Sequence, residues 1–147
     1  MSSSEIDTKT RRMTIECRNE VDGGFRQVIR VDAHTFHADV GPALGGAASA
    51  PSPHDYFDAS LASCKALTGM LYAKKHFMAL DRIEVQVDRD ASREREGIYV
   101  LRVTLAYLGA LSDADKQRIH DAVSRCPIHK LMTTATVQVD VAPFAPS

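Results

Sequence analysis

The sequence predicts an α+β fold with a mainly antiparallel sheet, and three observations carry that reading. Residues 13–40 alternate apolar and polar side chains with a turn signal between segments. One long stretch, Tyr56 to Ala73, is almost free of charge and has helical spacing. Two more alternating segments follow it and read as a hairpin. The order is β-β-β-α-β-β-α-β, with no internal repeat. With 147 residues, 44% of them hydrophobic, the chain suffices for a single domain over 1–147. Residues 1–11 and 143–147 read as loose tails.

In the first segment Met13, Ile15 and Cys17 share one face, opposite Thr14, Glu16 and Arg18, so Cys17 reads as core. After Asp22-Gly23-Gly24, the segment Phe25–Val31 puts Arg26 and Arg30 on one side. The third segment turns Phe36, Ala38 and Val40 inward, and Thr35, His37 and Asp39 outward. The connection from Gly41 to Ser52 is rich in small residues and lacks the Lys-Ser/Thr ending of a phosphate-binding loop.

The long helix has a marked start: Ser52 as N-cap, Pro53 at the first helical position and Asp55 three residues after the cap. Its stripe runs Phe57, Leu61, Cys64, Thr68 and Leu71, and Asp58 and Lys65 are the two charges between Tyr56 and Ala73. Ser60, Ser63, Thr68 and Gly69 make it too polar for a membrane span, so it is expected to be buried in a fold or an interface. Beyond it, Ile83, Val85 and Val87 alternate with Glu84, Gln86 and Asp88; a charged connector leads to a second strand near Ile98 to Tyr107. Ser112 with Asp115 opens another helix, whose stripe is Ile119, Ala122, Val123 and Cys126. Pro127 breaks it and starts a short new helix with Cys126 as N-cap. A last strand alternates Ala135, Val137, Val139 and Val141 against Thr136, Gln138 and Asp140.

A net charge of −1 argues against non-specific nucleic-acid binding, and the N-terminus has no apolar run of a secretory signal. No nucleic-acid and no membrane partner is expected, and the default location is cytoplasmic, with reduced thiols. Three widely spaced cysteines, Cys17, Cys64 and Cys126, form neither a disulfide scaffold nor a zinc knuckle. His34 and His37 fall on opposite faces of an alternating strand, so with Asp39 they make no metal site.

The later cysteines each lie on the apolar stripe of a predicted helix, where buried free thiols are common and inert. Cys126 has the stronger local argument for reactivity, at a helix start near His129 and Lys130. Cys64 lies about a dozen residues into its helix, beyond the reach of its terminal amides. It needs a cation from elsewhere, and Arg26 and Arg30 are the candidates.

Two segments, SPHDYFDASLASCKALT (Ser52 to Thr68) and SRCPIHKLM (Ser124 to Met132), together with GGFR before them, resemble the OsmC/Ohr family. The family takes in osmotically inducible protein C and organic hydroperoxide resistance proteins, and the resemblance spans roughly Met13 to Val141. It implies an intertwined homodimer with the long helix at its centre and two active sites at the interface. It implies a thiol peroxidase in which Cys64 attacks a small organic hydroperoxide and Cys126 closes a disulfide with the resulting sulfenic acid. No cofactor is implied; an external dithiol, on a lipoyl-bearing protein in some members, is the reductant and partner. The family's arginine falls on Arg26, displaced by one residue. Its glutamate position falls on His54 or Asp55, of which Asp55 is the carboxylate. Asp55 and Cys64 are nine residues apart, roughly 900° of rotation and about 13–14 Å of rise, on opposite faces of a straight helix. To act near Cys64, Asp55 must come from the partner chain or from a helix start that departs from regular geometry, and a composite site that needs the dimer is expected. The other readings are a binding protein that holds a small apolar ligand at the dimer interface without efficient turnover, and a structural dimer with inert thiols.

Overall fold

The computed structural model describes residues 13–147; the loose tail expected over 1–11 lies outside them. The chain forms two compact units, one ending at Tyr56 and one beginning at Phe57.

In the first unit, β1 (Ile15–Asn19), β2 (Gln27–Val31) and β3 (His34–Ala38) form an antiparallel sheet in that order. Cys17 pairs with Ile29, which pairs in turn with Phe36. The expectation that Cys17 is core fails: every residue of β1 is exposed, Cys17 included. Alternation gave the strand its faces, but β1 is an edge strand with no layer over it in this unit. Asp39 also departs from expectation. It is buried rather than outward, and its carboxylate accepts from the amides of Val40 (2.8 Å), Ala47 (3.3 Å) and Ser49 (3.1 Å) and from the Ser49 hydroxyl (2.6 Å). Those bonds, led by the hydroxyl, lower its pKa from 3.8 to about 2. The small-residue connection is thus wound around one carboxylate. Gly46 is required there, because a Cβ would fall 2.1 Å from the Val40 carbonyl oxygen.

Helix α1 (Pro53–Lys75) opens with the expected reciprocal cap. The Ser52 amide donates to Asp55 Oδ2 (2.9 Å) and the Asp55 amide to Ser52 Oγ (3.2 Å). The second unit adds the antiparallel hairpin β4 (Leu80–Asp90) and β5 (Val100–Gly109), then α2 (Asp113–Val123) and α3 (Pro127–Thr133). Ser112 caps α2 by accepting the Asp115 amide (3.1 Å). Ile83, Val85 and Val87 pair with Tyr107, Leu105 and Val103 on the half-buried face of the hairpin. The core joins Ala73, Leu80, Ile119 and Val123, with Tyr72, Met78, Ile83, Leu105, Tyr107 and Leu111 packed against it.

Two expectations are corrected here. The buried stripe of α1 is Asp58, Leu61, Lys65, Gly69 and Ala73, whereas Phe57 is 48% and Leu71 67% exposed. A helix apolar on most sides carries little sequence signal for its buried face, and Gly69 decides it. A Cβ there would lie 2.9 Å from Ile83 Cδ1 and 3.1 Å from Val123 Cγ2, so only glycine lets α1 approach the hairpin and α2 this closely. The last predicted strand does not form: residues 136–147 have no regular structure, and Val137, Val139 and Val141 are 66%, 78% and 90% exposed. A strand requires a partner edge, and this segment makes no ladder bonds within the described chain.

Candidate functional site

The second unit brings Cys64 against the turn that carries Cys126. Pro127 starts α3, and Cys126 is its N-cap with extended backbone, φ −63° and ψ 153°. A proline at the first position and an amide at the second leave the Ile128 N–H free of the helix ladder. That amide donates to Cys64 Sγ at 3.5 Å. Cys64 is half-buried on α1, while Cys126 is fully buried. The amide's positive end complements negative charge on sulfur, so Cys64 receives from α3 the electrostatic support that its own helix cannot provide.

Beside it, Lys65 is 3% exposed. Its ammonium donates to the Val123 carbonyl oxygen (3.1 Å) and meets His129 Nδ1 at 3.2 Å. An ammonium only donates, so this contact assigns Nδ1 the acceptor role. Among the described residues no carboxylate forms an ion pair with Lys65. Seven residues earlier on the same face, Asp58 is buried. It pairs with Arg89 Nε (2.5 Å) and accepts from the Tyr99 hydroxyl (2.8 Å). Burial first, then the Asp58 carboxylate, raises the Tyr99 pKa above 10. Next to these groups lies a cleft of about 480 Å³, lined by Phe57, Leu61, Tyr99, Val103 and Met132, with His129 among them.

Arg26 and Asp55 lie in the first unit. Arg26 Nε pairs with Glu20 (2.7 Å), and its Nη1 donates to Ser49 O (3.0 Å) and Ser49 Oγ (2.9 Å). Asp55 closes the α1 cap with Ser52. Arg30, the alternative cation, is exposed on β2. Lys65, Asp58 and Arg89 were not singled out as site residues by pattern, and His129 entered only as a neighbour of Cys126. The one available signal was the presence of two charges, seven residues apart, in the otherwise uncharged stretch from Tyr56 to Ala73. Among the described residues no group of His, Cys, Asp and Glu could hold a metal ion, and no helix is long and apolar enough to cross a membrane.

A sequence profile described as OsmC-like protein matches residues 45–142. This chain belongs to the OsmC-like family. The OsmC-like chain is similar in fold to an OsmC-like protein from Mycoplasma pneumoniae, with a TM-score of 0.68, 19% identity, and 85% of this chain and 89% of that one covered. It is also similar to an organic hydroperoxide resistance protein OsmC from Legionella pneumophila, with a TM-score of 0.61, 16% identity, and 85% and 91% covered. The organic hydroperoxide resistance protein OhrB of Bacillus subtilis aligns with a TM-score of 0.56, 24% identity, and 84% and 92% covered. Among curated proteins none matches the chain significantly. The similarity establishes the α+β fold with antiparallel sheets and three helices.

Proposed function

We propose that this OsmC-like protein is a thiol peroxidase that reduces small organic hydroperoxides to alcohols. The observation that carries the reading is the Ile128 amide on Cys64 Sγ, which joins a half-buried sulfur to the turn opened by Cys126. The Cys64 thiolate attacks the distal peroxide oxygen and the O–O bond breaks. The alkoxide then leaves and takes a proton to become the alcohol. Cys64 is left as a sulfenic acid. The Cys126 sulfur displaces hydroxide from it, which leaves as water once protonated, and an S–S bond forms. A dithiol, on a lipoyl-bearing protein or free, returns both thiols by exchange. The largely apolar cleft beside this turn favours peroxides with fatty or aryl substituents.

The working form in this proposal is a homodimer. Its support is the apolar face that α1 leaves open, with Leu67 62% and Leu71 67% exposed, and the unpaired alternating segment 136–141. The second reading, a binding protein for a small apolar ligand at the dimer interface, is favoured by one observation. Arg26 is engaged by Glu20 and Ser49, and Asp55 by the helix cap.

The deciding experiment is consumption of cumene hydroperoxide with a dithiol reductant by wild type, Cys64→Ser and Cys126→Ser. The peroxidase reading expects turnover lost in both variants, with a trapped sulfenic acid in Cys126→Ser. Stoichiometric binding of cumyl alcohol without thiol loss on adding peroxide selects the binding protein instead.

A further inference from the structure

Lys65 occupies a position where an apolar side chain would pack at lower cost. Its neighbours on the buried stripe are Leu61, Gly69 and Ala73, and a buried ammonium with no carboxylate partner among the described residues is costly to desolvate. What it gains is two contacts placed symmetrically about Cys126. Val123, whose carbonyl it holds, lies three residues before Cys126, and His129 lies three residues after. The same Val123 carbonyl accepts the Cys126 amide at 3.2 Å. An ammonium at the carboxyl end of α2 also lies at the negative pole of that helix. Consecutive residues of α1 thus grip one turn: Cys64 through the Ile128 amide, and Lys65 on both sides of Cys126.

We infer that Lys65 is a positioning residue for disulfide closure, a clasp that holds the Val123–His129 turn, and with it Cys126, against Cys64. The inference rests on the reading of Cys64 and Cys126 as a redox pair, but not on peroxide being the oxidant. With diamide as oxidant, two thiols form one S–S bond, and their two electrons and two protons pass to the N=N bond. Closure then depends on how well Cys126 is held, while the first reaction of Cys64 with a small electrophile does not.

The test uses the full chain in a Cys17→Ser background, comparing Lys65→Met, His129→Leu and His129→Asn. Closure by diamide is followed by mass spectrometry, Cys64 alkylation by iodoacetamide is followed in the additional Cys126→Ser background, and folding is monitored by circular dichroism. Loss of a hydrogen bond to a charged group is expected to slow closure about tenfold in Lys65→Met and His129→Leu. Alkylation of Cys64 should slow less than closure, by about threefold at most, because the Ile128 amide keeps its own bond to the sulfur. His129→Asn, whose amide oxygen takes the place of Nδ1, should close within about threefold of wild type. Wild-type closure in Lys65→Met and His129→Leu overturns the clasp. So does equal slowing of closure and alkylation, failure of His129→Asn to rescue, or absence of a disulfide in wild type. A protein that closes with diamide but forms no sulfenic acid with cumene hydroperoxide keeps the clasp and loses the peroxidase.

Discussion

The backbone amide of Ile128 points at Cys64 Sγ across 3.5 Å, so a residue of α3 supports a sulfur in the middle of α1, 64 positions away in sequence. Pro127 makes this possible, because it starts α3 where the next amide has no partner inside the helix.

Removing that amide tests its electrostatic role. Ile128→Pro takes away the donor at a first-turn position that tolerates proline. Alkylation of Cys64 by iodoacetamide near neutral pH should slow by roughly three- to tenfold, since the donor that complements negative charge on the sulfur is gone. An unchanged rate constant, with the fold intact by circular dichroism, would show that the amide only packs against the sulfur.

The Asp58–Arg89 pair is expected to contribute to stability. Arg89→Met leaves the Asp58 carboxylate, with 12% of its side chain exposed, without its ion-pair partner at Nε. Because Arg89 is itself one-third exposed, the expected loss is about 2 kcal/mol, below that for a fully buried pair. Urea denaturation at neutral pH measures it. In Asp58→Asn the Tyr99 phenol should titrate at lower pH than in wild type, because the carboxylate that raises its pKa has lost its charge. Ultraviolet difference titration of the two proteins reads this directly.

Asp39 sets an acid dependence. Its folded pKa of about 2 lies below the ordinary 3.8, so its contribution is fully present above the unfolded value and is lost as pH falls through the folded one. The stability advantage of wild type over Asp39→Asn should therefore be constant above about pH 5 and shrink between about pH 4 and 2. Urea midpoints across that range check the sign. An advantage that grows on acidification would contradict it.

The proposed dimer predicts its own disruption. Leu67 and Leu71 stand exposed on α1, and Leu67→Glu with Leu71→Glu places two like charges in an apolar contact. Light scattering after size exclusion should read twice the chain mass for wild type and the chain mass for the double variant. Peroxidase turnover should fall with the loss of the dimer, as a composite site requires. A wild type that runs as a monomer overturns the interface.

Local features of this protein were legible in its sequence. Caps at Ser52 with Asp55, Ser112 with Asp115 and Cys126 with Pro127 depend on hydrogen bonds and dihedrals a few residues long, and all three form. The hairpin face of Ile83, Val85 and Val87 follows from a period of two that any strand must keep. Tertiary structure decided the rest. The buried face of α1 was settled by Gly69 against Ile83 and Val123, the partners of Asp58 and Lys65 by residues 31 to 64 positions away. Cys17 and the segment 136–141 carried valid strand patterns, yet among the described residues β1 gained no covering layer in its unit and the last segment no edge to pair with. Alternation states which side chains share a face; what covers that face depends on surfaces brought in from elsewhere, by packing that no local window contains.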